Sequence, residues 1–223
     1  MGTLHPGESE TSFPDGSGTQ GSRHRERTTV PHIGTHLLPP ALPALRQRHP
    51  GLVLEVVADE RAFNLSRREA DLALRVGRLR DSGLVVRRLS GLNDAFYAAA
   101  STDAGSRGAV NLVSDPFLGE QPADVTQERW LDRTVPDRRV VHRCNSTVSL
   151  LAGARHGLRV ALLPCHLGDA ESVLRRLEGP EPVADELWLL VQGDLRRTPR
   201  VRAVIGWMDE LIANAQPALL GRR

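Results

Sequence analysis

The chain alternates short apolar runs with segments of helical apolar spacing, and that alternation limits the fold more than any single residue does. "LVLEVV" (52–57), "DLALRV" (71–76), "LVVRRL" (84–89) and "AFYAAA" (95–100) read as strands. So do "RRVVHRC" (138–144), "LRVALLP" (158–164) and "ELWLLVQ" (186–192). Between them, Leu37, Leu38, Ala41, Leu42 and Leu45 recur at helical spacing. Near the end, Val201, Val204, Ile205, Met208, Leu211 and Ile212 do the same. Strands alternating with helices predict an α/β fold, with a mostly parallel sheet covered by helices on both faces.

Composition agrees with a globular chain. Of 223 residues, 40% are apolar and 25% charged, enough for a substantial core. The net charge is only +2, with Arg in place of Lys throughout, so nothing in the charge balance points to nucleic acid or a membrane surface. Cys144 and Cys165 do not make a disulfide framework. No apolar run is long enough to span a bilayer, and the N-terminus lacks a secretory pattern, so the expected compartment is the cytoplasm. Residues 1–27 carry only Met1, Leu4 and Phe13 as large apolar side chains and are expected to be disordered.

Local signals refine the elements. Pro39, Pro40 and Pro43 count against the first helix, since Pro fits only its first turn without cost. His49-Pro50-Gly51 ends it. "NLSRREADLALRVG" reads as a short polar helix running into a strand stopped by Gly77. Asn145 or Ser146 caps the helix 147–156, with Leu150, Leu151 and Ala154 inward and Gly157 as its stop. "GDAESVLRRLEGP" reads as another helix with Asp169 near its start. Thr198-Pro199 opens the last one.

No catalytic signature is present: no Gly-rich phosphate loop, no G-x-S-x-G elbow and no metal-spaced cysteine pair. The expectation is a binding protein rather than an enzyme, with no cofactor and no metal. His32 and His36 are four apart, but without a third ligand nearby they read as polar residues at a helix start. Cys144 and Cys165 read as free thiols at strand ends. In open α/β sheets ligands sit beyond the carboxyl ends of strands, where helix N-termini present unpaired N–H groups. Three segments have that placement: Thr28-Thr29-Val30, Cys144-Asn145-Ser146-Thr147 and Leu163-Pro164-Cys165-His166. They suit a small polar or anionic ligand. On spacing alone, helix capping accounts for Asn145 and Ser146 as well as ligand binding does, and more simply.

At these residues the chain resembles the effector-binding domain of LysR-type transcriptional regulators. "IGTHLLPPALPALRQRHPGLVLEVVADERAFNLSRREADLALRVGR" is similar to the first half of that domain. "RVVHRCNSTVSLLAGARHGLRVALLPC" is similar to its second half, and "ELWLLVQGDLRRTPRVRAVIGWM" to its return segment. The likeness covers residues 28–213 and holds three motifs in order. It implies two Rossmann-like lobes joined by crossover strands, a type 2 periplasmic-binding-protein-like fold with the effector between the lobes. Lobe I would be residues 28–98 and 191–213, lobe II residues 99–190, and 214–223 a C-terminal tail. Carried over position by position, the effector contacts would be Thr29, Val30, Arg75, Gly77, Asn145, Ser146, Thr147, Pro164 and Cys165.

The resemblance also sets expectations about partners: a small-molecule effector, a carboxylate by the chemistry of the site, and a homodimer or a heterodimer with an intact regulator. The family places a winged helix-turn-helix before this domain. Residues 1–27 show no such period, and Arg23-His24-Arg25-Glu26-Arg27 stands where an apolar strand is usual. The expectation is a regulator domain that has lost its upstream part and does not contact DNA or a membrane directly. The other readings are a two-lobed solute-binding protein for transport and a poorly folded remnant.

Overall fold

The computed structural model describes residues 28–58, 70–77, 84–102, 112–114, 130–131, 133–137, 141–144, 146–179 and 183–222. The segment 1–27 and the expected polar helix ahead of residue 70 lie outside these.

One sheet runs through the molecule. On its first flank β1 (Thr28–Thr29) lies between β2 (Val57–Ala58) and β3 (Leu72–Val76), parallel to both. On the other flank β7 (Ala161–Pro164), β5 (Leu112–Ser114) and β6 (His142–Cys144) are parallel neighbours in that order. Two long strands join the flanks. β9 (Val183–Gln192) is antiparallel to β3 on one side and to β4 (Leu84–Ala99) on the other, and β4 is antiparallel to β7. The mostly parallel sheet expected from the alternation is therefore parallel only in its flanks. The correction follows from chain path: β4 and β9 cross between the two halves in opposite directions, and pairing with each other satisfies their backbone groups.

β4 also corrects the two strands expected at 84–89 and 95–100. It is one strand of 16 residues, with a register shift between Arg88 and Ser90 that absorbs its polar middle. Its far end pairs with β8 (Leu174–Arg176), inside the segment expected to be helical after Asp169. There α3 (Cys165–Gly168) lasts a single turn. The edge of Tyr97–Ala99 offers β8 a ladder, and Leu174 is buried by joining it. Arg175 Nη2 adds a hydrogen bond to the Thr102 carbonyl at 2.9 Å. The strand expected at 52–57 shortens to β2, because only Val57 and Ala58 find a partner.

The first helix begins as a π-helical turn, Ile33–Leu37, and continues as α1 (Leu38–Arg48). Pro39 and Pro40 follow directly on the π-helical turn at the start of α1, and Pro43 lies inside it and is tolerated. α1 packs with α4 (Pro199–Leu219) over the first flank, and the Trp207 indole N–H donates to the Ala41 carbonyl at 3.2 Å. This core holds Ile33, Leu38, Leu74, Leu189, Val204 and Ile212. α2 (Thr147–Arg155) packs on the second flank, whose separate core holds Tyr97, Leu150, Leu151, Ala154 and Leu163. Two cores joined by β4 and β9 make the two lobes.

α4 runs 21 residues, further than the expected tail boundary at 214. Its end reaches across to the second lobe. Leu219 is fully buried, the Asn93 amide donates to the Leu220 carbonyl at 3.1 Å, and Arg176 Nη1 donates to the Gly221 carbonyl at 3.0 Å.

Candidate functional site

Two strand-to-helix junctions, one from each lobe, meet side by side. In the first, the Val30 carbonyl accepts the N–H groups of Ile33 (3.1 Å) and Gly34 (3.0 Å), which turns the chain from β1 into the helix. Thr35 Oγ1 donates to the Pro31 carbonyl at 2.7 Å and fixes the same turn. That fold-back buries His32, only 6% exposed. In the second, Pro164 ends β7 opposite Asp94 of β4, and α3 begins at Cys165.

His32 Nδ1 and His166 Nε2 lie 3.3 Å apart, with ring centroids 5.1 Å apart and ring planes at 45°. Burial holds the His32 pKa well below the ordinary value, and the neighbouring His166 and His36 push it the same way. Burial, helped by His36, lowers His166 to about 4. Both rings are therefore neutral at pH 7, each with one bare nitrogen and one N–H. His166 Nδ1 is buried and has no hydrogen-bond partner among the described residues.

The residues singled out from the sequence lie on several different elements. Thr29 closes β1, in register with Ala58. Val30 is half-buried at the turn. Arg75 lies on β3 in register with Trp188 of β9 and is 9% exposed. Gly77 ends β3 at a φ of 84°, which only glycine adopts freely, and its N–H donates to the Glu186 carbonyl at 3.0 Å. Asn145 lies outside the described residues. Ser146 caps α2: its Oγ accepts the Ser149 N–H at 3.4 Å, and Thr147 follows as the first helical residue. Cys165 is fully buried in the core of the second lobe.

Spacing along the sequence weighed His32 only against His36 and left His166 out. The two histidines are 134 residues apart, so only the fold pairs them. The available signal was a histidine at each of two strand-to-helix junctions.

Behind α3 the polar groups serve packing. The Tyr97 hydroxyl donates to Asp169 Oδ1 at 3.0 Å, and Arg176 Nη1 lies 3.7 Å from Asp169 Oδ2. Burial pushes the Cys165 thiol up, which opposes a nucleophilic role. Among the described residues no group of three or more His, Cys, Asp or Glu side chains is placed to hold a metal ion. No helix among them is long and apolar enough to cross a membrane.

Comparison with known proteins agrees with this architecture. The family model for the LysR substrate binding domain matches residues 28–213. The Mau operon transcriptional activator of Paracoccus denitrificans is 27% identical over 197 residues, covering 86% of this chain and 66% of that protein. The HTH-type transcriptional regulator CrgA of Neisseria meningitidis is 33% identical over 92 residues, 41% of this chain and 30% of that protein. The chain thus spans less than two thirds of the length of these curated relatives. Among solved structures, the CrgA regulatory domain from Neisseria meningitidis superposes with a TM-score of 0.70 at 21% identity, covering 84% of this chain and 98% of that one. The effector domain of AmpR of Pseudomonas aeruginosa gives 0.67 at 18% identity, covering 86% and 96%. With its periplasmic-binding-protein-like fold and a family match along most of its length, the chain belongs to the LysR substrate-binding domain family.

Proposed function

We propose that this chain binds a small carboxylate effector between its lobes and passes the occupancy of that site to a LysR-type regulatory assembly. The observation that carries the reading is the His32–His166 approach, which sets the β1 junction of one lobe against the β7 junction of the other. A ligand held there touches both lobes at once, so its binding free energy biases their relative arrangement. The contacts proposed are Val30 and Thr29 on one side, Asn145, Ser146, Thr147 and Pro164 on the other, with Arg75 as a buried positive charge within the first lobe. The N-terminus of α2 adds a partial positive charge favourable to an anion. Cys165, buried beneath the surface, would shape the floor rather than touch the ligand.

Assembly is the second half of the proposal: two copies, or one copy and an intact regulator, pair side by side with α1 of each against the second lobe of the other, an isologous contact. Binding rather than catalysis fits relatives named as transcriptional regulators.

The test is a thermal-shift screen of small carboxylates, amines and neutral sugars. A ligand at a hundred times its dissociation constant stabilises the folded state by about 2.7 kcal/mol. The proposal expects hits among the carboxylates, with the shift reduced in Asn145→Ala by more than the unliganded melting point falls. Hits confined to amines or sugars, or an equal fall in both states, would count against it.

A further inference from the structure

Three consecutive residues at the end of α4 touch three different parts of the molecule. Leu219 is buried in the core of the first lobe. Leu220 meets the crossover strand β4. Its carbonyl accepts the Asn93 amide at 3.1 Å, and its side chain packs on Gly91 so closely that a Cβ at 91 would come within 2.8 Å of Cδ2. Gly221 meets the second lobe. Its carbonyl accepts Arg176 Nη1 at 3.0 Å, and a Cβ at 221 would come within 2.7 Å of Cys165 Sγ. The closing sequence "ALLGRR" builds this turn. The Gly221 N–H donates to the Ala218 carbonyl at 3.0 Å and the Arg222 N–H to the Pro217 carbonyl at 2.8 Å, with Gly221 at a φ of 64°. That is a Schellman turn, which leaves the Leu220 and Gly221 carbonyls to donors outside the helix.

We propose that Leu219–Gly221 is an interlobe latch, which ties α3 to the first lobe when shut and frees the lobes to change their angle when open. β4 and β9 form a two-stranded ribbon between the lobes, and such a ribbon takes a larger twist than a wide sheet. A tie outside the ribbon fixes the angle. The latch is anchored firmly on one side only. Leu219 stays in its core cluster, whereas the far side rests on two side-chain hydrogen bonds and the Leu220–Gly91 contact. Its release strands no buried group. Leu220, Gly221, Asn93 and Arg176 are all half-buried and reach water, and Arg176 keeps Asp169 Oδ2 at 3.7 Å. Cys165, against Gly221, is the first residue of α3, and the next, His166, faces His32 of the first lobe. Latch movement thus passes through one four-residue turn to the interlobe junction. The proposal holds whatever ligand that junction takes, and each reading can fail without the other.

The test uses the full chain and follows labelling of Cys165 by a small thiol reagent, resolved from Cys144 by peptide mass spectrometry. Cys165 is fully buried with Gly221 against its sulfur, so opening of the latch uncovers it. Gly221→Ala sets a Cβ against the thiol and strains the turn, and Arg176→Ala removes a donor. Each should raise the Cys165 rate ~10-fold or more, the effect of about 1.4 kcal/mol on a local opening equilibrium. Cys144, on β6, should keep its rate. Amide exchange should show protection lost at 165–168 and 218–222 and kept at 187–191 of β9. An unchanged Cys165 rate in either variant would mean that the turn does not hold α3. A rise matched by equal loss of protection in β9 would make the opening global unfolding. Either result overturns the proposal.

Discussion

Gly168 lies against the ring of Tyr97 so closely that a Cβ at position 168 would come within 2.4 Å of the ring carbons. Tyr97 is fully buried in the middle of the second lobe, and its hydroxyl is anchored to Asp169. The ring therefore has nowhere to go, and Gly168→Ala forces α3 or β4 to shift. Overpacking of this kind costs about 1–3 kcal/mol. Urea unfolding should show a lower midpoint with an unchanged slope; an unaltered midpoint would mean that α3 is not held against the ring.

The same residue provides an internal pH reporter, because Tyr97 is the only tyrosine in the chain. Burial, then the proximity of Cys165 and Asp169, raises its pKa far above the ordinary 10.0. A raised acid favours its neutral form in the folded state, so the stabilisation is full below pH 10.0 and declines as pH rises above it, where only the unfolded chain ionises. Phenolate absorbance should stay absent at pH 10.0 and then emerge together with loss of helical circular dichroism. A smooth titration centred at pH 10.0 in folded protein would contradict this.

α4 is tied to α1 through Trp207 and Ala41. Trp207→Phe keeps most of the apolar contact, removes the N–H donor and leaves the carbonyl to seek water. The expected loss is about 0.5–1.5 kcal/mol. Ile212→Ala, in the same helix at 2% exposure, should cost about 2–5 kcal/mol because it opens a cavity. Chemical denaturation of the two variants should preserve that order, and its reversal would mean that the helix is held by the hydrogen bond rather than by packing.

Ser146 caps α2 through the Ser149 N–H. Ser146→Ala should lower stability by about 1 kcal/mol, and Ser146→Asp should restore most of it, since a carboxylate accepts the same bond and suits the helix dipole. Thermal melts of the three proteins decide the matter. No loss in the alanine variant would remove the capping role.

The apolar runs made much of this fold legible. β3 and β7 lie within "DLALRV" and "LRVALLP", β9 contains "ELWLLVQ" and begins three residues before it, and α4 carries the stripe that opens at Thr198-Pro199. The order of those motifs was enough to point to the LysR effector-binding family. What stayed hidden depends on partners far away in sequence. Ser90, Gly91, Leu92, Asn93 and Asp94 fall between the two expected strands, yet each lies in register with a residue of β9. "VLRRLEG" has helical spacing at Leu174 and Leu177, but the open edge of Tyr97–Ala99 captured Leu174–Arg176 as β8. The strand-to-helix junctions could be located from strand ends and small polar residues. The His32–His166 approach could not, because neither histidine carries any trace of the other in its own neighbourhood.

The central claim is that a small carboxylate seats between the lobes and touches both. Amide hydrogen exchange, measured with and without the strongest carboxylate from the thermal-shift screen, tests it directly. The account predicts added protection in two separate segments at once, around residues 30–35 and around 146–150 with 164–167. Protection confined to one of them, or lying elsewhere on the surface, would contradict it.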